Sequence, residues 1–245
     1  MVQTTKEESP LVPTMAPVSS KLSTQEVVSK HPLGVFQDTN CAGWKKLLFL
    51  IDEAAADGRE VFSPREDMTE EEWADIVTLP PSIAKLTEVK QLILYGSNLQ
   101  WIPPEIGQMS SLEEFMPYSS YHLHWFPYEI TQCARLKKST VSTRTLYGNS
   151  KTNLPFPSLP YTVSQLCPSC CSVCARSLEP QRKIHQAWIS RWVATDVMPL
   201  LVHACSKACL SKAKADTTFS RPGDSVWRRD EKETSESSSS SESST

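Results

Sequence analysis

"LPPSIAKLTEVKQLILYGSNLQW" spans residues 79–101, and two further stretches repeat its phrasing: "IPPEIGQMSSLEEFMPYSSYHLHW" (102–125) and "FPYEITQCARLKKSTVSTRTLYGN" (126–149). Leu79, Ile102 and Phe126 correspond, as do Pro80, Pro103 and Pro127, and Ile83, Ile106 and Ile130. Leu86, Met109 and Cys133 follow, then Val89, Leu112 and Leu136, at steps of 23 and 24 residues. A fixed period of this size marks stacked units, each burying its apolar face only against its neighbours. In the first unit Val89, Leu92, Leu94, Asn98 and Leu99 follow the spacing LxxLxLxxNxL. Alternation sends Leu92 and Leu94 of a short strand inward. Asn98 is placed to bond backbone groups at the turn, and the Pro-rich phrase moves the chain to a second face. There, apolar residues at period three suit a short helix or 3₁₀ segment.

These residues resemble the leucine-rich-repeat family, in particular the intracellular LPxxIxxLxxL type of Ras-binding and plant Ras-group-related repeat proteins. The resemblance covers about 70 residues and implies a short α/β solenoid over 79–150. The first unit fits best. Phe115 and Pro117 take the strand core positions of the second and Ser139 and Val141 those of the third, so the pattern thins toward the C-terminus.

So few units need caps. "GWKKLLFLIDEAAADGRE" (43–60) reads as an amphipathic helix with Trp44, Leu47, Leu48 and Ile51 on one face and Gly58 as its stop. In "MTEEEWADIV", Thr69 followed three residues later by Glu72 is a capping box opening a short helix. Residues 43–78 are therefore expected to form a helical N-terminal cap.

If Leu92 and Leu94 face inward, Gln91, Ile93 and Tyr95 face out. The repeat carries this to Glu114, Met116 and Tyr118, then to Lys138, Thr140 and Ser142. Aromatic and Met side chains on an open strand face have the composition of interaction hot spots, so Ile93, Tyr95, Met116 and Tyr118 are the expected partner-binding residues. His122 and His124 in "YHLHWFP" (121–127) align with Asn98 and Gln100 and are expected at the surface. They have no third ligand nearby that would make them a metal site.

Of the eight cysteines, six lie within 167–209: four in "CPSCCSVC" (167–174) and two in "HACSKAC" (203–209). Cys41 and Cys133 stand apart, and Cys133 falls at a repeat core position, where it reads as a small buried apolar residue. "CPSC" looks like a glutaredoxin phrase, but a Pro-rich stretch precedes it, whereas a redox site needs a preceding strand and a following helix that lowers the thiol pKa. A disulfide framework conflicts with the absence of a secretory leader pattern. A metal clamp fits better: a Cys-x-x-Cys places two thiolates within reach of one Zn²⁺, and Cys205 with Cys209, one helical turn apart, complete a tetrahedron.

The segment 167–212 resembles the treble-clef finger, a knuckle followed by a β-hairpin and a helix opened by Cys-Ser. "QAWISRWVATDVMPLLVHA" would supply the hairpin, with Trp188, Ile189, Val193, Leu200 and Val202 as its core. Ala175 stands where such a knuckle usually has Gly, and Ala204 where an aromatic residue is common. The resemblance implies a structural zinc held by Cys171, Cys174, Cys205 and Cys209. Cys167 and Cys170 remain an alternative first pair, or part of a second site with His185 or His203.

The rest of the chain bounds the function. Residues 1–42 are polar and Pro-studded, 151–166 form a Pro-rich linker, and 213–245 end in a Ser/Glu run that cannot bury apolar surface, so both ends read as disordered tails. A net charge of −3 without a concentrated basic face argues against nucleic-acid binding. No window approaches the ~18 apolar residues of a membrane span. The expectation is a cytoplasmic, non-enzymatic scaffold or adaptor that binds a protein partner. The alternative is a substrate-recognition accessory of a ubiquitin-ligase-like assembly.

Overall fold

The structure, a computed structural model, describes residues 36–149, 155–157, 168–178 and 183–215. The expected tails (1–42 and 213–245) and linker (151–166) fall mostly outside these residues, and Cys167 lies outside them too. Within them the chain is mixed α/β, with one parallel and one mixed sheet.

Helix α1 (Ala42–Asp57) buries Trp44, Leu47, Leu50, Ile51 and Ala54 and ends at Gly58, whose φ of 67° is the left-handed stop expected from sequence. The Cys41 sulfur caps its start, accepting the Trp44 N–H at 3.3 Å. After strand β1 (Val61–Phe62) comes helix α2 (Glu70–Ala74), opened by the expected capping box. The Glu72 N–H donates to Thr69 Oγ1 at 3.2 Å, and the Thr69 N–H to Glu72 Oε2 at 3.0 Å. The two helices touch so closely at Gly43 that an added Cβ would lie 2.1 Å from the Glu72 carbonyl oxygen.

The repeated stretches lay down strands β2 (Gln91–Ile93), β3 (Glu114–Met116) and β5 (Lys138–Ser139), which join β1 in one parallel sheet of order β1-β2-β3-β5. Gln91 lies opposite Glu114 and Glu114 opposite Lys138, so the register follows the steps of 23 and 24 residues. Leu92, Leu94 and Phe115 are fully buried. Pro117, Ser139 and Val141 are buried as well. Each Pro-rich phrase forms a 3₁₀ segment, Pro81–Lys85, Pro104–Gln108 and Tyr128–Gln132, that drives Ile83, Ile106 and Ile130 into the core. Asn98 donates to the Ala74 carbonyl at 3.0 Å and so ties the turn to α2. The buried rung between units is instead Ser97–Ser120, with hydroxyl oxygens 2.6 Å apart.

Strands β6 (His185–Val193) and β7 (Asp196–Ala204) form the expected antiparallel hairpin. Ile189, Val193, Leu200 and Val202 are buried, and Trp188 packs edge-on to Trp125 at 5.7 Å. The hairpin has a second neighbour that the sequence did not foreshadow. Strand β4 (Phe126–Pro127), at the head of the third unit, pairs in parallel with β7, Phe126 opposite Leu200. At the hairpin turn, Ser139 Oγ donates to the Val193 carbonyl at 3.0 Å and Thr195 Oγ1 to the Ser139 carbonyl at 2.7 Å. A polar Ser therefore occupies the apolar position of the third unit because it faces a turn that needs donors and acceptors. The 79–150 and 167–212 segments share one hydrophobic core, so the linker between them does not separate two cores.

His124 departs from the sequence expectation of a surface residue. It is buried, its Nδ1 contacts the Thr145 carbonyl, and its ring stacks on Tyr147 at 5.2 Å. The second unit is one residue longer than the first, and the end of the third folds over it. His122 is exposed, as expected.

Candidate metal centre and exposed sheet face

The sequence of the knuckle explains its shape. The Cys171 N–H donates to the Arg176 carbonyl at 2.7 Å and the Ala175 N–H to the Cys171 carbonyl at 3.0 Å, folding Cys171 and Cys174 onto one side of a tight turn. The turn places Ala175 in the left-handed region, at a φ of 56°; this is the position where treble-clef knuckles usually carry Gly. Opposite it, β7 ends at Ala204 and helix α3 (Lys207–Ala215) begins. Ser206 Oγ accepts the Cys209 N–H at 3.2 Å as an N-terminal cap, and the helix turn sets Cys209 over Cys205.

These two pieces bring the sulfurs of Cys171, Cys174, Cys205 and Cys209 within 4.8 Å of one another. Cys174 and Cys205 are 3.6 Å apart, and Cys205 and Cys209 3.8 Å. A tetrahedron with metal–sulfur bonds of ~2.3 Å requires sulfur separations of about 3.8 Å. A disulfide requires ~2.05 Å, and all the described cysteines are free. The four sulfurs can thus hold one metal ion. Cys170 is exposed and outside this group, and neither His185 nor His203 joins it.

The electrostatics point the same way. Burial raises the Cys171 thiol, but N–H groups of Cys205, Val173 and Cys174 aimed at its sulfur outweigh burial and bring it down to about 7. Cys205 faces Cys174 first, then Cys171 and Cys209, and the crowding pushes it up to about 12. Several thiolates cannot share this volume unless a cation neutralises them, which is what a bound metal supplies. The start of α3 adds a partial positive charge beside Cys205.

The residues that fix this cluster were not legible in the spacing of the cysteines. The Ser172 N–H donates to the His203 carbonyl at 2.9 Å and the His203 N–H to Ser172 Oγ at 3.0 Å, locking knuckle to hairpin. Gln132 Nε2 donates to the Ser172 carbonyl at 3.2 Å, locking knuckle to the third unit. Glu129, from the same 3₁₀ segment, is buried to 7% exposure; burial lifts its carboxyl to about 7, against the opposing pull of the Ser172 hydroxyl. A polar residue between two clustered cysteines, and a Glu between the buried Tyr128 and Ile130, are the traces this arrangement leaves in the sequence.

On the far side of the parallel sheet, Ile93 and Met116 are half-buried while Tyr95 and Tyr118 are each 50% exposed. The two tyrosine rings stack at 5.9 Å with an interplanar angle of 25°. Arg65, which no repeat pattern marks, sits with its guanidinium carbon 5.9 Å from the Tyr95 ring centre.

No protein-family model matches the chain, and no curated protein matches it either. No helix among the described residues is long and apolar enough to cross a membrane.

Proposed function

We propose that the chain is a non-catalytic protein-interaction module. In this reading the parallel β1-β2-β3-β5 sheet is a short leucine-rich-repeat unit, its open face binds a protein partner, and a structural Zn²⁺ clamps its C-terminal end. The observation that carries the reading is the exposed Tyr95–Tyr118 stack, repeated at the unit spacing above the half-buried Ile93 and Met116. Large rigid aromatics at the centre of an open face are what hot spots are made of. The register of 23 and 24 residues with a 3₁₀ segment per unit supports the repeat assignment. Zinc is favoured for the clamp because four sulfurs make a closed tetrahedral set, with no position for water or substrate. A reducing, cytoplasmic setting suits unpaired thiols.

The test is partner binding by the full chain against the Tyr95→Ala/Tyr118→Ala double variant, with thermal unfolding of both proteins recorded alongside. The reading expects loss of a partner that wild type holds while the unfolding midpoint is nearly kept. Unchanged partner binding would refute it, and collapse of the fold would show the two rings to be structural.

A further inference from the structure

Resting on the reading of the β1-β2-β3-β5 face as a partner surface, we infer that this face recognises an extended acidic peptide. The observations form a row along one rim. Arg65 lies over Tyr95, Tyr95 stacks on Tyr118, and three residues beyond Tyr118 the Tyr121 ring carries Arg144, whose guanidinium carbon is 5.8 Å from its centre. Tyr121 is 47% exposed, like the other two rings. Among the described residues the three phenol hydroxyls make no hydrogen bond and Arg144 makes no ion pair. Arg65 is held at 3.0 Å by Glu70, whose side chain is 80% exposed, and such a surface pair contributes little and exchanges readily.

One cation of this rim, Arg144, is thus available to a partner's carboxylate, and a second, Arg65, can exchange its exposed Glu70 for one. Of its carboxylates, Glu114 is already taken by Lys138 at 3.1 Å. The guanidinium without an ion pair is that of Arg144, while Arg65 is shared with the exposed Glu70, on a chain whose overall charge is −3. A guanidinium lying against an aromatic ring keeps its N–H edge free for a carboxylate and is already ordered, so little entropy is lost on pairing. The free phenol hydroxyls add neutral donors between the two cations.

The spacing narrows the partner. Neighbouring strands lie ~4.8 Å apart, so Arg65 and the third-unit run that leads to Arg144 are roughly 15 Å from each other, four to five extended residues at ~3.3 Å each. A fitting segment carries two carboxylates that far apart, with apolar or Pro residues between them resting on the Tyr95–Tyr118 stack. A nucleic acid fits less well, because its phosphates need a denser set of cations than this face, with Glu113 and Glu114 beside it, provides.

The probe is a labelled synthetic dodecapeptide with two glutamates five positions apart around a Pro-Leu-Pro centre, titrated into the full, metal-loaded chain. Saturable binding is expected, weakened at least about tenfold when both glutamates become glutamines, by Arg144→Gln, or by a tenfold rise in salt. Equal binding of the Glu and Gln peptides, no saturation by either at about 1 mM, no effect of Arg144→Gln, or tighter binding of a single-stranded oligonucleotide would each overturn the inference. If the acidic peptide fails while a protein partner is still lost with Tyr95→Ala/Tyr118→Ala, the surface reading stands and the acidic preference falls. If that double variant leaves partner binding intact, the surface reading itself falls.

Discussion

Phe126 lies directly opposite Leu200 in parallel register, so the third repeat unit and the cysteine-bearing hairpin share a sheet. Phe126 also meets Phe115 edge-on at 5.8 Å, carrying the contact into the centre of the repeat core. The four-cysteine cluster is consequently attached to one end of the protein's main core, so disruption of the cluster is expected to propagate inward.

Chelation, or Cys205→Ser, is expected to destabilise residues throughout 36–215 and not only those beyond 165. Structural Zn²⁺ sites contribute on the order of 10 kcal/mol, comparable to the whole stability of a domain. The thermal midpoint should fall by more than about 10 °C, and hydrogen exchange should accelerate at Phe126, Ile130 and Ser139 as well as in the hairpin. Exchange confined to the hairpin would show that the β4–β7 pairing is not a cooperative link.

Ala175→Gly should stabilise the protein. A left-handed conformation costs a non-Gly residue about 1 kcal/mol, and Ala175 holds a φ of 56° to let the knuckle close. A rise of a few degrees in the thermal midpoint, with metal content unchanged, is the expected result; a fall would mean that the turn does not need this conformation.

Gly43→Ala should do the opposite. The new Cβ would meet the Glu72 carbonyl oxygen at 2.1 Å, forcing α1 away from α2 and disturbing the packing of Trp44 and Trp73. Overpacking of this kind costs about 1–3 kcal/mol, measurable by denaturant unfolding. Full retention of stability would show that the two helices are free to separate.

Glu129 gives a pH signature. Burial raises its carboxyl from 4.5 to about 7 in the folded state, so between these values the folded chain binds more protons than the unfolded one. Stability contributed by this group is present below pH 4.5 and lost as pH rises through about 7. Glu129→Gln removes that dependence, so its stability relative to wild type should improve between pH 5 and 8 by up to about 3 kcal/mol. His203 works in the other direction, since burial lowers it from 6.5 to about 4, so the stability it contributes is present above 6.5 and lost as pH falls toward 4. Comparing variant with parent at each pH cancels that contribution. A pH-independent difference between the two proteins would show Glu129 to be ionised in the fold.

Much of this arrangement could be read locally. Leu92, Leu94, Gly58, Thr69 with Glu72, and the two close cysteine pairs, Cys171 with Cys174 and Cys205 with Cys209, follow from periodicity, capping chemistry and ligand spacing, each acting over a few residues or recurring at a fixed step, although spacing left Cys167 and Cys170 open as the first pair. Pairing of Phe126 with Leu200 carries no such signal, because parallel contacts between distant segments leave no local trace. Ser139 looked like a weakening of the repeat pattern when it is the contact that seats the hairpin turn. His124 was misplaced because Thr145 and Tyr147, from the end of the third unit, cover a position that the repeat alone leaves at the surface. Arg65 reaches Tyr95 from outside the repeats, so no repeat alignment could mark it.

The most direct test of the account is elemental analysis of the purified full chain beside its Cys205→Ser and Cys170→Ser variants. One zinc per chain is predicted for the wild type and for Cys170→Ser, and a loss of most of it for Cys205→Ser. Absence of metal from the wild type, or retention of a full equivalent by Cys205→Ser, would contradict the assignment of Cys171, Cys174, Cys205 and Cys209 as the clamp.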